Sequence, residues 1–124
     1  MADTVNVIQG IRVLVCAEDG EKLQGEREAV DLIGEAMGEE ATLVLVPVAR
    51  LGDEFFQLKT RQAGHIVQKF VNYRRRLVIL GDISHYVAQS RAFHDFVHEA
   101  NRGTQLWFVK DLPELNARLA HAQP

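Results

Sequence analysis

Cysteine is nearly missing from this 124-residue chain, since Cys16 is the only one. An internal disulfide is therefore impossible, and a buried core position is the expected role of this thiol. Long apolar runs are missing as well: the longest, residues 41–49, is interrupted by Thr42 and Pro47 and is far shorter than the ~20 residues of a membrane helix. The first residues carry no apolar signal-peptide core. We expect a cytoplasmic protein without a membrane segment.

An excess of positive charge is also missing. Fourteen Lys and Arg against seventeen Asp and Glu give a net charge of −3, which disfavours nucleic acid or an anionic membrane as the main partner. The basic triplet at 74–76 is expected at the end of a helix, where cations stabilise the exposed carbonyl groups. The length and the 47% hydrophobic content fit one globular domain over residues 1–124.

The spacing of apolar residues alternates between a strand period and a helix period. The expected strands are 5–9, 11–16, 42–46, 77–81 and 105–109, and the expected helices are 21–37, 63–71, 85–101 and 113–120. This ββαβαβαβα order predicts an α/β fold, a single-domain three-layer sandwich with a mixed, mostly parallel sheet of about five strands and about four helices. The first two strands are expected to form an antiparallel hairpin around Gly10 at the sheet edge.

The first expected helix shows how the buried faces are assigned. Leu23, Val30, Ile33 and Met37 recur at helical spacing, and alanines widen the stripe, so this face is expected to pack on the sheet. Gly38 is expected to cap the end of the helix, because glycine readily adopts the left-handed conformation found there.

Polar residues follow the third and fourth strands, where each strand ends. Arg50 and Asp53 come after the third strand, and Asp82, Ser84 and His85 come after the fourth. Ligands of open α/β sheets gather at the carboxyl ends of parallel strands. These residues are therefore candidates for a binding site, although for Asp82 and Ser84 the favoured expectation is that one of them caps the next helix.

The longest irregular stretch, residues 50–60, contains two adjacent phenylalanines, Phe55 and Phe56, followed by Lys59 and Thr60. Two adjacent aromatic side chains either tuck beneath the sheet edge or form a surface for a partner. Such loops commonly carry function, so these residues are candidate ligand or partner contacts. Thr60 is also expected to cap the helix that follows.

Complete catalytic or metal-binding motifs are missing. The chain has no Gly-x-Ser-x-Gly, no Gly-x-Gly-x-x-Gly and no phosphate-binding P-loop. His94 and His98 share the spacing of a zinc helix, but Asp95 replaces the glutamate of that motif. We therefore expect no metal and no cofactor, and whether the chain is an enzyme stays open, with a non-enzymatic role favoured.

The second expected helix carries two amides on a polar side, Gln68 and Asn72, with His65 and Lys69 beside them. Amides among charges form either a recognition face or a solvated one. Gln68 and Asn72 are therefore further candidates for contact with a partner.

Several blocks of the chain resemble a bacterial family described as a domain of unknown function, DUF4180. Residues 53–73 carry the blocks Phe-Phe-x-Leu-x-Thr and Gln-Lys-Phe-x-Asn-Tyr, and residues 30–33, 81–84 and 95–103 are similar to its other blocks. Arg61 departs from the pattern, in which glycine is expected after the threonine. The element order is similar to the STAS fold, whose small α/β domains regulate partners by protein contact.

Two functions are therefore expected as alternatives. The first is a non-enzymatic, STAS-like regulatory or interaction domain that recognises a protein partner, or itself in a homodimer, through residues 50–60 and the following helix. The second is a small-molecule-binding protein, or a cryptic enzyme, with a pocket at the carboxyl ends of the parallel strands.

Overall fold

The structure, a computed structural model, describes residues 3–122. These residues form five strands and five α-helices in one α/β unit. The strands are β1 (Thr4–Ile8), β2 (Ile11–Val15), β3 (Leu43–Pro47), β4 (Arg76–Leu80) and β5 (Leu106–Val109). The helices are α1 (Glu26–Gly38), α2 (Gln62–Asn72), α3 (Ser84–Gln89), α4 (Arg91–Arg102) and α5 (Leu112–Ala122).

The strands lie in the sheet in the order in which they occur in the chain. β1 and β2 pair antiparallel, and β2, β3, β4 and β5 run parallel. The hairpin turns through Gln9 and Gly10, which both have positive φ angles, as two-residue hairpin loops require. The predicted mixed, mostly parallel sheet with an antiparallel edge is therefore confirmed.

Alternate residues of the strands point into two separate cores. The larger core lies between the sheet and helices α1, α2 and α4, as expected when successive right-handed crossovers advance in one direction. The smaller core lies on the other face of the sheet, where α5 contributes Leu115 and Leu119. Helices thus cover both faces, which makes the three layers of the predicted sandwich.

The predicted long third helix is wrong in one respect, because Ser90 divides it into α3 and α4. Ser90 has an extended backbone, and its side-chain oxygen accepts a hydrogen bond from the Phe93 backbone N–H. A serine in this position caps the start of a helix. The fold therefore has five helices where about four were expected.

The predicted first helix starts too early, and its predicted buried face is right at Ile33 and the alanines but wrong at Val30 and Met37. It starts at Glu26, so Leu23 lies before it and pairs with Leu51 in an isolated bridge. Ala29, Leu32, Ile33 and Ala36 pack on the core, whereas Val30 and Met37 are exposed. The residue in the left-handed conformation after the helix is Glu40 and not Gly38.

Within residues 3–122, no helix has the length and apolar character that crossing a membrane would need.

Candidate functional site

The chain after β3 winds through three short 3-10 turns, Val48–Arg50, Asp53–Phe56 and Leu58–Thr60, before α2 begins. Phe55 and Phe56 lie in the middle turn and are only 0% and 3% exposed. The Phe56 ring packs edge-on against Phe55 and Phe93, at centroid distances of 5.4 and 5.6 Å. Of the two roles expected for these aromatics, the structure therefore shows the buried one.

An open cleft of about 580 Å³ lies between these turns and helix α3, at the carboxyl ends of β3 and β4. This position is the one in which open α/β sheets bind ligands. One side of the cleft is lined by Asp53, Phe56, Gln57, Leu58 and Lys59, and the other by His85, Tyr86, Gln89, Ser90 and Ala92.

Three rings form an aromatic wall in the cleft. The rings of Phe56 and Tyr86 stack almost parallel, with centroids 3.8 Å apart and 7° between their planes. The His85 ring lies 3.9 Å from Tyr86. Because Phe56 is only 3% exposed and lies stacked against Tyr86, it supports the wall from behind, and the accessible ring surface belongs mainly to Tyr86 and His85.

A hydrogen bond ties the two sides of the cleft together. The Tyr86 hydroxyl donates to a carboxylate oxygen of Asp53 at 3.0 Å, which joins α3 to the middle 3-10 turn. Partial burial raises the pKa of Tyr86, and the neighbouring Asp53 carboxylate raises it further. The phenol therefore stays protonated and keeps the donor that this bond needs.

Most polar groups of the cleft lie at its rim. Asp53, Gln57, Lys59, His85 and Gln89 are all exposed. The Lys59 ammonium makes no ion pair or hydrogen bond with the described residues. The cleft therefore offers a free cation next to an aromatic wall.

Asp82 and Ser84 lie at the same sheet edge but outside the lining of the cleft. The Asp82 carboxylate accepts a hydrogen bond of 2.9 Å from the Ser84 backbone N–H. Hydrogen bonds from Ser84 lower the pKa of Asp82, with a smaller contribution from His85. The N-cap position of α3 is Ile83, which makes no side-chain capping bond, so the expected cap is wrong in position: Asp82, one residue earlier, accepts from the first helical N–H instead. His85 lines the cleft without contributing to this contact.

Arg50 points away from the cleft and is only 5% exposed. Its guanidinium donates to the backbone oxygens of Glu21, at 2.6 Å, and Ala17, at 2.8 Å, and it pairs with Asp3 at 3.2 Å. Gly20 packs so closely that an added Cβ would lie 2.6 Å from Arg50 Cζ. The structure thus gives Arg50 a position that clamps the chain after β2 to the loop after β3.

The remaining candidates also lie away from the cleft. The Thr60 hydroxyl lies 2.8 Å from the carbonyl oxygens of Glu54 and Gln57, to either of which it can donate, and it accepts from the Gln62 backbone N–H. On α2, Gln68 donates to Asn72 at 2.8 Å, so the two amides are paired through one hydrogen bond on the exposed side of the helix.

The expected cap of α2 differs in detail from the structure. Arg61 occupies the position directly before the helix with φ of 63°, and its side chain makes no capping bond. Thr60, one residue earlier, accepts from the first helical N–H instead. A left-handed backbone is the conformation for which glycine is favoured, which accounts for the glycine expected at this position.

Sequence reasoning missed part of the cleft. Tyr86, Gln89, Ser90 and Ala92 were not among the candidates, and Gln57 and Leu58 entered only as part of residues 50–60. The available signal was a tyrosine two residues after Ser84, in the helix that follows β4, because a partly buried tyrosine usually finds a partner for its hydroxyl.

A metal site has no counterpart in the described part of the chain, where no group of three or more His, Cys, Asp or Glu is placed to hold an ion. His94 lies against its neighbour Asp95, with Nδ1 at 3.2 Å from the carboxylate.

Comparison with known proteins gives one match. The sequence model of the family described as Domain of unknown function (DUF4180) matches residues 8–119, nearly the whole chain. No curated protein and no solved structure matches the chain.

Proposed function

We propose that this chain, which belongs to the DUF4180 family, is a small-molecule-binding protein whose site is the cleft between residues 53–59 and 85–92. The observation that carries the proposal is the aromatic wall of Phe56, Tyr86 and His85 inside a cleft of about 580 Å³. Ligand sites of proteins are commonly clefts of about 300–1,000 Å³ with apolar walls and a few polar groups.

The contacts around the loop favour a small ligand over a protein partner at this edge. Phe55 and Phe56 are buried, so they offer no protruding apolar contact to another chain. What the loop leaves accessible is concave, with rings inside and polar groups at the rim. A concave surface with apolar walls and a few polar groups is the usual form of a small-molecule site.

The chemistry of the cleft favours a ligand with an apolar, planar body and one acidic group. The planar body would lie along the aromatic wall. The acidic group would pair with Lys59, whose ammonium has no partner among the described residues. Asp53 already accepts from Tyr86, and its other lone pairs are free to accept from a hydroxyl or amine of the ligand.

A thermal-shift screen tests this proposal, with aromatic carboxylic acids compared against their neutral amides. The acids should raise the melting temperature in proportion to the logarithm of their concentration. The Lys59→Gln variant should remove most of the preference for acids. Lys110→Gln is the matched control, because Lys110 is exposed and lies outside the cleft. If no acid stabilises the protein, or if both variants respond alike, the proposed site is wrong.

Self-association is a second candidate function, which a different surface favours. Val71 and Tyr73, at the end of α2, are 37% and 45% exposed. Val71 lies one helical turn after Val67, which lines an apolar groove with Phe96 of α4. A second copy of the chain could cover this surface as a STAS-like homodimer. Sedimentation equilibrium should then show a dimer that Val71→Asp dissociates, and a monomer at all concentrations would contradict it.

A further inference from the structure

Trp107 carries two arginine side chains on its ring, at the edge of the sheet opposite the cleft. The guanidinium carbon of Arg76, the first residue of β4, lies 4.5 Å from the ring centre, and that of Arg118 on α5 lies 4.2 Å from it. The two guanidinium carbons are therefore no further apart than the sum of these two distances. Stacking of a guanidinium on an indole is favourable, and it fixes the plane of the guanidinium.

Backbone carbonyls of the last turn of α4 and of the turn before β5 hold all three side chains. Arg76 Nε donates to Thr104 O at 2.8 Å, Arg118 Nη2 donates to Asn101 O, and Trp107 Nε1 donates to Gly103 O at 2.7 Å. Trp107 is only 4% exposed, and both arginines are half-buried. The two guanidinium groups are thus held in place before any ligand arrives, which reduces the entropy that binding costs.

Within the described residues, neither positive charge is paired with a carboxylate. No Asp or Glu among residues 3–122 forms an ion pair with Arg76 or Arg118. Burial lowers the pKa of Arg76, and the neighbouring charge of Arg118 lowers it further. A guanidinium has five N–H donors, and each of these two uses one, so most donors remain free.

We propose that Arg76 and Arg118, presented on Trp107, bind a phosphoryl group, either as inorganic phosphate or as the phosphate monoester of a small molecule. Phosphate carries close to two negative charges at neutral pH and several acceptor oxygens, which match two cations with free donors. A carboxylate carries one charge and would neutralise only one of the arginines. Guanidinium groups are well suited to phosphate, because their N–H donors match its oxygens.

The experiment uses the only tryptophan of the chain as its own reporter. Trp107 emission is recorded while inorganic phosphate, O-phosphoserine or acetate is added at constant ionic strength. Phosphate should give a saturable change in emission and acetate should not, and a tighter response to O-phosphoserine would identify a monoester as the ligand. Arg118→Gln should weaken phosphate binding about tenfold or more, because a charge-assisted hydrogen bond and one of the two charges are lost.

Two further variants keep the test decisive. Arg118→Lys retains the positive charge and should bind phosphate with intermediate strength, and Arg91→Gln should bind like the wild type because Arg91 is an exposed residue away from Trp107. Leu115 and Leu119 still anchor α5 in these variants, and circular dichroism checks that each one folds. Equal responses to phosphate and acetate, or an unchanged affinity in Arg118→Gln, would overturn the proposal. The cleft lies at the other end of the strands, so its own ligand test is independent of this one.

Discussion

Replacement of Arg50 by methionine should destabilise the fold and leave the cleft intact. Arg50 makes three hydrogen-bonded contacts, to Glu21 O, Ala17 O and the Asp3 carboxylate, and it is almost fully buried. Arg50→Met leaves two carbonyl oxygens without their donor and removes the cation that pairs with the largely buried Asp3 carboxylate, which keeps the hydrogen bond from the Ala17 backbone N–H. Removing one partner of a buried ion pair costs about 3–5 kcal/mol, against a total stability of roughly 5–15 kcal/mol for a domain.

The cost translates into a melting temperature lower by roughly 10–20 °C for a chain of this length, and urea unfolding measures it directly. The exposed Arg91 is the matched control, since Arg91→Gln should change stability by no more than about 0.5 kcal/mol. Gly20→Ala should act through the same contact, because the added Cβ would collide with the Arg50 guanidinium. In an Arg50→Met background, Gly20→Ala should therefore cost much less than it does in the wild type.

Two results would refute this reasoning. Wild-type stability of Arg50→Met would mean that the buried network contributes little. Additive effects of Arg50→Met and Gly20→Ala would mean that the two residues act independently. If the Arg50→Met variant were stable but no longer bound ligand, Arg50 would instead be a binding residue, as its position after the third strand predicts.

Three other predictions concern single positions. Burial raises the pKa of Cys16 from 9.0 to about 12, so its thiolate fraction at neutral pH should be roughly a thousandfold below that of a free thiol, and DTNB should label it only after unfolding. The unfolded thiol ionises near pH 9, while the folded one stays protonated up to its raised pKa. The free energy of unfolding should therefore fall by about 1.4 kcal/mol per pH unit between these two pKa values. The Cys16→Ala variant should lack this loss. Gly81→Ala should lower the free energy of unfolding by roughly 2–4 kcal/mol, because φ at Gly81 is 140° and an added Cβ would lie 2.8 Å from Val48 Cγ2. Urea unfolding measures this loss, and a variant as stable as the wild type would contradict the prediction. Arg61→Gly should be about 1 kcal/mol more stable than Arg61→Ala, since position 61 is left-handed, and the reverse order would refute that assignment.

The sequence predicted the architecture because burial leaves a clear pattern in strands. β3, Leu43–Pro47, is buried on both faces, and a continuous apolar run is what such a strand requires. The helix faces were harder to predict. In α1 the predicted Ile33 and the alanines are buried, but the larger Val30 and Met37 face solvent, so ranking residues by apolar size extended the predicted face too far.

The sequence predicted which edge of the sheet carries the candidate site, but not which residues line the cleft. Asp53, Lys59 and His85 do meet in one cleft, because β3 and β4 are parallel and end level with one another. Arg50 turns away from the cleft because its hydrogen-bond partners are Glu21, Ala17 and Asp3. These partners are distant in the sequence, so a local residue pattern does not predict the contact. The pairing of Tyr86 with Asp53 likewise depends on how the 3-10 turns are oriented, which apolar spacing does not record.

The most direct test of the proposed function is a map of backbone amide shifts in an ¹⁵N-labelled sample titrated with a stabilising aromatic acid. Binding in the cleft predicts saturable shifts concentrated in residues 53–59 and 85–92, and weaker binding in Lys59→Gln. Shifts centred on the groove at Val67 and Phe96, or no saturable shifts with any such acid, would contradict the assignment of this cleft as the ligand site.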